Sequence, residues 1–214
     1  MKKVITERDI FELEKKGIKV LIKTRNTIIT PLAFDRIKSS KFTIIESPES
    51  QLSFPDLDKE KFPQKSKIIL GSDHTGFKLK NILIKFLSEK NYLIEDAGTY
   101  DENPCDYPDF AKKVAMKVAS DSSSFGILID ATGIPSAITA NKIKGILAAT
   151  CYNTFSAKSS RSHNNANILV VGSKTLGEES IKEIVSAWLS TGFDGGRHQK
   201  RLDKIREIEN GKID

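Results

Sequence analysis

From Lys67 onward, short apolar runs alternate with amphipathic stretches of helical spacing, and this alternation constrains the fold of the 214-residue chain more than any other feature. KIILGS, YLIEDAG, FGILIDAT, GILAATC and NILVVGS read as strands. Phe77 to Lys90, Phe110 to Ala119, Ile134 to Ile143 and Ser156 to Asn164 read as the helices between them, followed by Gly177 to Thr191 and Gly195 to Glu209. FGILI is apolar almost without interruption, as a strand covered on both faces must be. Such alternation predicts an α/β domain over residues 67–214. Its core is a Rossmann-like, doubly wound parallel sheet of about five strands. Ligands of such sheets bind beyond the carboxyl ends of the strands.

The first 45 residues have a different texture. VIT, IKVLIK and FTIIE read as short strands, and Glu7 to Lys16 as a helix stopped by Gly17. Thr30 before Pro31 marks a helix start, a hydroxyl cap followed by an imino acid where no amide donor is needed. The segment predicts a small α+β appendage that buries little by itself and docks on something. Residues 46–66 hold Pro48, Pro55 and Pro63, three of the seven prolines, among serines and charges, and read as a linker. Leu52, Phe54 and Leu57 suit a linker lying against the main domain. No internal repeat is evident.

Composition narrows the class. Hydrophobic residues are 38% and charged residues 29%, the balance of a soluble globular chain. No apolar run approaches the roughly 20 residues of a membrane helix. No apolar stretch follows the N-terminal basic pair, so no secretory signal is expected. Cys105 and Cys151 are too few for a disulfide framework or a metal knuckle, which makes a reducing cytoplasm the expected compartment. The net charge is +6, but most lysines interleave with acids as on a solvated helix face. GGRHQKRLDKIR is the exception. There Arg197 and Arg201 lie four apart on one helical face, and two guanidinium forks side by side suit a phosphate. The segment is short and lacks aromatic residues for base stacking, so a small phosphorylated ligand is expected and nucleic acid is not.

The three histidines all fall in polar stretches at element junctions: His74 in GSDHTGFK, His163 in SRSHNNAN and His198 in GGRHQKR. Each stands beside another polar or charged group, Asp73 for the first, Arg161 and Asn164 for the second, Arg197 and Arg201 for the third. Asp130 ends an apolar strand, where a carboxylate must be solvated, paired or used; a plain helix N-cap is the competing explanation. The small-residue turn DATGIPSA after that strand can present backbone amides to an anion, although turn geometry alone also selects such residues.

GSDHTGFKLK, DYPDFAKKVA, FGILIDATGIPSAITANKIKG, SRSHNNANILVVGS and DGGRHQKR, in this order and spacing, resemble the type B ribose-5-phosphate isomerases and the related galactose-6-phosphate isomerases. The resemblance covers about residues 67–209. It implies a homodimer or homotetramer with active sites shared between subunits, acting on a small phosphorylated sugar without metal or other cofactor. Aldose–ketose interconversion needs the sugar ring opened, a proton moved between C1 and C2 through an enediolate, and the oxyanion stabilised. By resemblance, His163 assists ring opening with Asp73 and Thr132 nearby. The amides of the loop 131–136 face the enediolate oxygen, with Ala131, Gly133 and Ser136 as substrate-binding positions. Asn164 and Tyr107 hold sugar hydroxyls. His74, Arg197, His198 and Arg201 surround the phosphate, some from the partner subunit, with Arg161 as a further candidate.

One departure matters most. The type B enzymes carry C-G-T-G-x-G at the strand end, with the thiol as base. Here Asp130 replaces the cysteine, and Ala131 and Pro135 replace glycines. Pro135 has no amide proton, which removes one oxyanion donor. One subunit of the two-subunit galactose-6-phosphate isomerases similarly carries aspartate–alanine at this point. Three readings stay open. Asp130 is itself the base, strengthened by burial. Or the chain is one subunit beside a cysteine-bearing paralogue. Or it binds sugar phosphates, or serves assembly, without catalysis. Cys105 lies near enough in sequence to Tyr107 to reach the site, whereas Cys151 reads as packing. Glu95 and Asp96 read as solvated acids, and Trp188 as core. The IITPLAFDRIK stretch resembles short N-terminal segments of enzymes associated with bacterial microcompartments. That implies attachment to a shell or a cargo partner, with an extra stabilising lobe as the alternative.

Overall fold

In a computed structural model, which describes residues 3–15, 17–23, 27–40, 42–46 and 66–212, the Thr30 hydroxyl accepts the Ala33 amide at 3.3 Å and Pro31 opens the helix that follows. This helix belongs to the first of two units, which divide at residue 57. The unit runs β1 (Lys3–Ile5), α1 (Glu7–Lys15), β2 (Val20–Lys23), β3 (Thr27–Ile29), α2 (Pro31–Ser39) and β4 (Thr43–Glu46). It is built of two β-α-β halves. Each strand pairs in parallel with its counterpart in the other half: β1 with β3, Val4 opposite Ile28, and β2 with β4, Leu21 opposite Ile44. The sequence reading misses both this repeat and β3. Three residues are too few for a period-two pattern, and the repeat rests on a few scattered positions, Ile5, Thr6, Leu13 and Ile18 recurring as Ile29, Thr30, Ile37 and Phe42.

The expectation that this segment buries little is also corrected. Ile5, Ile10, Leu13, Leu21, Ala33 and Ile37 form a core of their own. Arg36 ties the two helices together, with Nε 2.7 Å from Glu14 and Nη1 3.3 Å from Glu7. Except for Glu46 in β4 and Ser66, the linker read at 46–66 lies outside the described residues, as do Leu52, Phe54 and Leu57.

The second unit alternates throughout: β5 (Lys67–Ser72), α3 (Phe77–Ser88), β6 (Leu93–Asp96), α4 (Tyr107–Ser120), β7 (Phe125–Asp130), α5 (Ile134–Ala140), β8 (Ala148–Thr150), α6 (Thr154–Ser162), β9 (Ile168–Gly172), α7 (Glu178–Leu189) and α8 (Arg197–Glu209). The five strands form one sheet in the order β6-β5-β7-β9-β8, with every pairing parallel. This is the architecture the alternation predicts. Helix α4 begins three residues before the predicted start, because Pro108 is tolerated in a first turn.

Side chains alternate across each strand. Ile127 and Ile129 of β7 pack with Leu79 and Leu83 of α3 and Ile184 and Trp188 of α7. Leu128 points the other way, onto Val114 and Val118 of α4 and Ala137 of α5. Both faces being covered explains the unbroken apolar run of β7. Trp188 and Cys151 are core residues, as read. Among the described residues no helix is long and apolar enough to cross a membrane.

The acids of β6 are not the solvated groups the sequence suggests. Hydrogen bonds from Lys117 and Lys67 hold the Glu95 carboxyl below the usual carboxylate range. Asp96 pairs with Lys80, whose side chain is 0% exposed and whose ammonium lies over the rings of Phe77 and Tyr100. Asp96 also accepts the Gly98 amide at 2.9 Å. A buried cation that loses its partner costs about 3–5 kcal/mol, whereas Asp96, whose side chain is 31% exposed, can be solvated when the cation is replaced by an apolar chain of similar length. Asp96→Asn, which keeps an acceptor for Gly98, is therefore expected to lower the urea midpoint markedly. Lys80→Met is expected to leave it nearly unchanged. Equal losses in the two variants would show that the pair is not a buried charge pair.

Candidate active site

The ends of β5, β7, β8 and β9 meet at the carboxyl edge of the sheet. Asp73 follows β5. Its amide donates to the Ile129 carbonyl at 3.2 Å, and Oδ1 accepts the Thr75 amide at 2.9 Å, the Thr75 hydroxyl at 2.6 Å and the Gly76 amide at 3.1 Å. Asp73 thus closes the turn into α3 and pins it to β7. The next residue, His74, places Nδ1 3.2 Å from both the amide nitrogen and the carbonyl oxygen of Cys105, with Sγ at 4.0 Å. The approach of Cys105 to the strand ends, read from sequence, is therefore to His74. Tyr107 is exposed at the start of α4.

Asp130 ends β7 and is 1% exposed. Its Oδ1 accepts the Thr132 amide at 2.8 Å and the Gly133 amide at 2.6 Å, and Oδ2 accepts the Ser136 amide at 3.1 Å. The Ile134 amide donates to the Thr132 hydroxyl at 3.2 Å, and Pro135 has no amide proton. The amide nest that sequence assigns to an enediolate oxygen thus already holds an anion, the carboxylate at its own base. In this respect Asp130 does the work of a helix cap for α5. With one 3.1 Å partner, Oδ2 keeps a lone pair that Oδ1 does not.

The loop is held from outside as well. The Thr150 hydroxyl donates to the Gly133 carbonyl at 2.6 Å and the Tyr152 hydroxyl to the Thr132 carbonyl at 3.3 Å. Gly133 has φ +82°, and at Gly172 a Cβ would stand 2.6 Å from the Thr132 carbonyl oxygen. Sequence reasoning misses Thr150, Tyr152 and Gly172. The available signal is their place at or just beyond strand ends.

A second cluster forms where α6 ends and α8 begins. His163 caps α6, with Nδ1 3.1 Å from the Ser159 hydroxyl. Its ring stacks on that of His198, centroids 4.3 Å apart and planes 7° apart. His198 is 7% exposed, and its Nε2 accepts Arg197 Nε at 3.4 Å. Burial pushes the His198 imidazole below the usual histidine range; the charges of His163, Arg197 and Arg201 act in the same sense, and Asp194 opposes them. Asp194, which the sequence reading misses, donates its amide to the Ser162 carbonyl at 2.9 Å. Its carboxylate lies with the two imidazoles so that one ligand atom of each is within 4.8 Å of the others. Two imidazoles and a carboxylate form a zinc-type donor set. The flanking guanidiniums of Arg197 and Arg201 make the local field positive, which favours an anion. Asn164 and both arginines are exposed beside this cluster.

Arg161 does not join it. Only 5% exposed, it donates Nη1 to Asn165 Oδ1 at 3.0 Å and to the Ala166 carbonyl at 2.6 Å. Its guanidinium packs over the rings of Phe125 and Trp188. Burial lowers its pKa to about 10. The phosphate role considered for Arg161 is corrected to a structural one.

The two clusters lie at opposite ends of the sheet. β7 and β9 run in parallel, with Gly126 opposite Ile168 and Asp130 opposite Gly172. His163 precedes the first residue of β9, while Asp130 is the last of β7. A strand of this length spans about 13 Å or more. One chain therefore assembles Asp73, His74, Asp130, Ala131, Thr132, Gly133 and Ser136 at the carboxyl edge, with Tyr107 opening the next helix. It assembles His163, Asn164, Arg197, His198 and Arg201 at the amino edge. It does not bring the two sets together.

Comparison with known proteins agrees with this architecture. A family model described as Ribose/Galactose Isomerase matches residues 68–205. Ribose-5-phosphate isomerase B of Escherichia coli is 44% identical over 143 residues, covering 67% of this chain and 96% of that one. The solved structure of ribose-5-phosphate isomerase B from Clostridium thermocellum has a TM-score of 0.67 at 45% identity, covering 69% of this chain and 99% of the other. That of the Mycoplasma genitalium enzyme with bound ribulose-5-phosphate has a TM-score of 0.66 at 42% identity, covering 67% and 96%. The strand order, the clustered strand ends and the matched span agree: the chain belongs to the ribose/galactose isomerase family.

Proposed function

We propose that the protein is an aldose–ketose isomerase of phosphorylated sugars, with ribose 5-phosphate and ribulose 5-phosphate as its first pair, and that two copies of the chain build each site. The observation that carries this reading is the division of the machinery into complementary halves. Acid–base groups lie at one end of the sheet and a phosphate clamp with an imidazole at the other. A second copy that brings its amino edge to the carboxyl edge of the first completes the site. Ile134, Ile138 and Phe155, large apolar side chains exposed around the Asp130 loop and α6, suit a face on which that copy is seated.

In the completed site Arg197 and Arg201 hold the phosphate, with His74 of the facing copy closing over it. His163 passes a proton to the ring oxygen, the bond from that oxygen to C1 breaks, and the anomeric hydroxyl returns its proton to the imidazole as the C1 carbonyl forms. Asn164 and Tyr107 hold its hydroxyls, and the free oxygen of Asp73 takes another. Asp130 Oδ2 then removes the proton from C2 of the aldose. The C–H electron pair forms the C1–C2 double bond, and the carbonyl electrons move to O1. The negative charge shifts from the carboxylate to the enediolate oxygen, near the same amides of Thr132, Gly133 and Ser136 and beside the Thr132 hydroxyl, so the nest serves the charge before and after transfer. As the ketone forms at C2, the O2 proton passes to O1 and the proton held by Asp130 returns to C1. The reaction is an internal proton transfer and requires no external oxidant or reductant.

Two outcomes are expected. Asp130→Asn keeps an acceptor for the Thr132 and Gly133 amides but not for that of Ser136, and cannot take the proton, so turnover of ribose 5-phosphate falls about 10²–10⁴-fold while inorganic phosphate still binds. Near-normal turnover in this variant would remove Asp130 as the base. Asp130→Asn and Arg197→Ala are each expected to be impaired alone. After subunit exchange in an equal mixture, half of the dimers are mixed and each holds one intact site, so about a quarter of wild-type turnover returns. No recovery after proven exchange would overturn the two-copy site.

A further inference from the structure

His198 is buried, stacked and unused by the chemistry above, although it touches the residue that opens the ring. We infer that a dianion bound at Arg197 and Arg201 draws one proton onto His163, and that His198 is a positioning residue that stays neutral beneath it. The inference rests on the proposed sugar-phosphate reading and adds how the ring-opening acid is loaded.

The geometry makes the two rings exclusive. Face to face at 4.3 Å, they cannot both be charged without direct repulsion. His198 is the ring that stays neutral. Its Nε2 lone pair faces Arg197 Nε at 3.4 Å, one face is covered by His163, and burial already pushes it below the usual histidine range. His163 is exposed, and its Nδ1 lies 3.1 Å from the Ser159 hydroxyl, which can accept from a protonated ring. Its Nε2 is then the atom left to donate to a sugar ring oxygen.

The charges around the pair come from three elements. His163 ends α6, Asp194 lies in the segment before α8, and Arg197 and Arg201 stand on the first turns of α8. In the free cluster the charges of Arg197 and Arg201 oppose a proton on His198 and that of Asp194 favours one, and His163 is stacked directly on that ring. A phosphate dianion seated on the arginines cancels that opposition. Proton and dianion therefore bind with positive coupling, and by linkage each strengthens the other. The acid needed for ring opening then forms when a phosphorylated sugar is in place and is absent from the empty site.

Sulfate is the probe, because it is a dianion that does not itself titrate near neutrality. Its affinity for the full chain, followed by calorimetry from pH 6 to 9, is expected to fall by up to tenfold per pH unit above the ordinary histidine range. Calorimetry in buffers of different ionisation enthalpy is expected to show uptake of up to one proton per sulfate at the same pH. His163→Asn is expected to bind sulfate without this dependence. His198→Phe, which keeps a stacked ring without a titrating group, is expected to retain it. Binding by the wild type that does not vary with pH would overturn the inference. So would a dependence that survives in His163→Asn, or one that vanishes in His198→Phe. Turnover of ribose 5-phosphate, measured on the same wild-type preparation, separates the two readings. Turnover with unlinked sulfate binding defeats only the coupling. Linked sulfate binding with no turnover of any sugar phosphate defeats the isomerase reading.

Discussion

All five strands of the main sheet point the same way, and the placement of every functional group follows from that. Parallel neighbours cannot be joined by a hairpin, so each connection must carry the chain back across the sheet through a helix. Residues just after a strand stay at the carboxyl edge, and residues just after a helix arrive at the amino edge. Asp73 and Asp130 belong to the first kind, His163 and Asn164 to the second. Helix α8 begins where α7 has already made its return, so Arg197 and Arg201 are also at the amino edge. The distance between Asp73 and Asp130 on one side and Arg197 and Arg201 on the other is thus imposed by connectivity. No adjustment of side chains within one chain removes it.

At the carboxyl edge, a single carboxylate organises the loop that would face the sugar. Asp130 uses the amides two, three and six residues ahead of it. The intervening position 135 is not called upon, which is why proline is accommodated there. Ala131 replaces a glycine of the related enzymes, and in this arrangement nothing requires position 131 to be glycine. The strict requirement falls instead on Gly133, which needs a left-handed backbone, and on Gly172, which lies against the Thr132 carbonyl. A change that looks like loss when motifs are compared is a coherent local redesign, with an anion and its donors contributed by the same loop.

The sheet was legible because buried parallel strands leave long apolar runs, and its helices because their periodicity is local. The pairing of Arg197 with Arg201 on one helix was legible for the same reason, the two being one helical turn apart. What stayed hidden depends on partners distant in sequence. Whether Arg161 meets solvent or the rings of Phe125 and Trp188 depends on where α6 lands. Lys80 and Asp96 read as unremarkable surface charges until α3 is laid over β6. Asp194 gains meaning only from the two histidines that the fold brings to it. The split of the site could be derived from the strand assignment alone, since chain direction and element order suffice.

The cross-paired strands of the N-terminal unit have a consequence of their own. Because β1 lies beside β3 and β2 beside β4, neither β-α-β half contains a ladder that it can form by itself. The first sheet hydrogen bonds must wait until Thr27 has been laid along Lys3, and closing that interval of chain costs entropy before any ladder offsets it. Once it is closed, both helices find their shared core together. The unit therefore has no stable half. It orders and melts as one cooperative block, and a cut between its halves would leave two fragments that hold their shape only in each other's company.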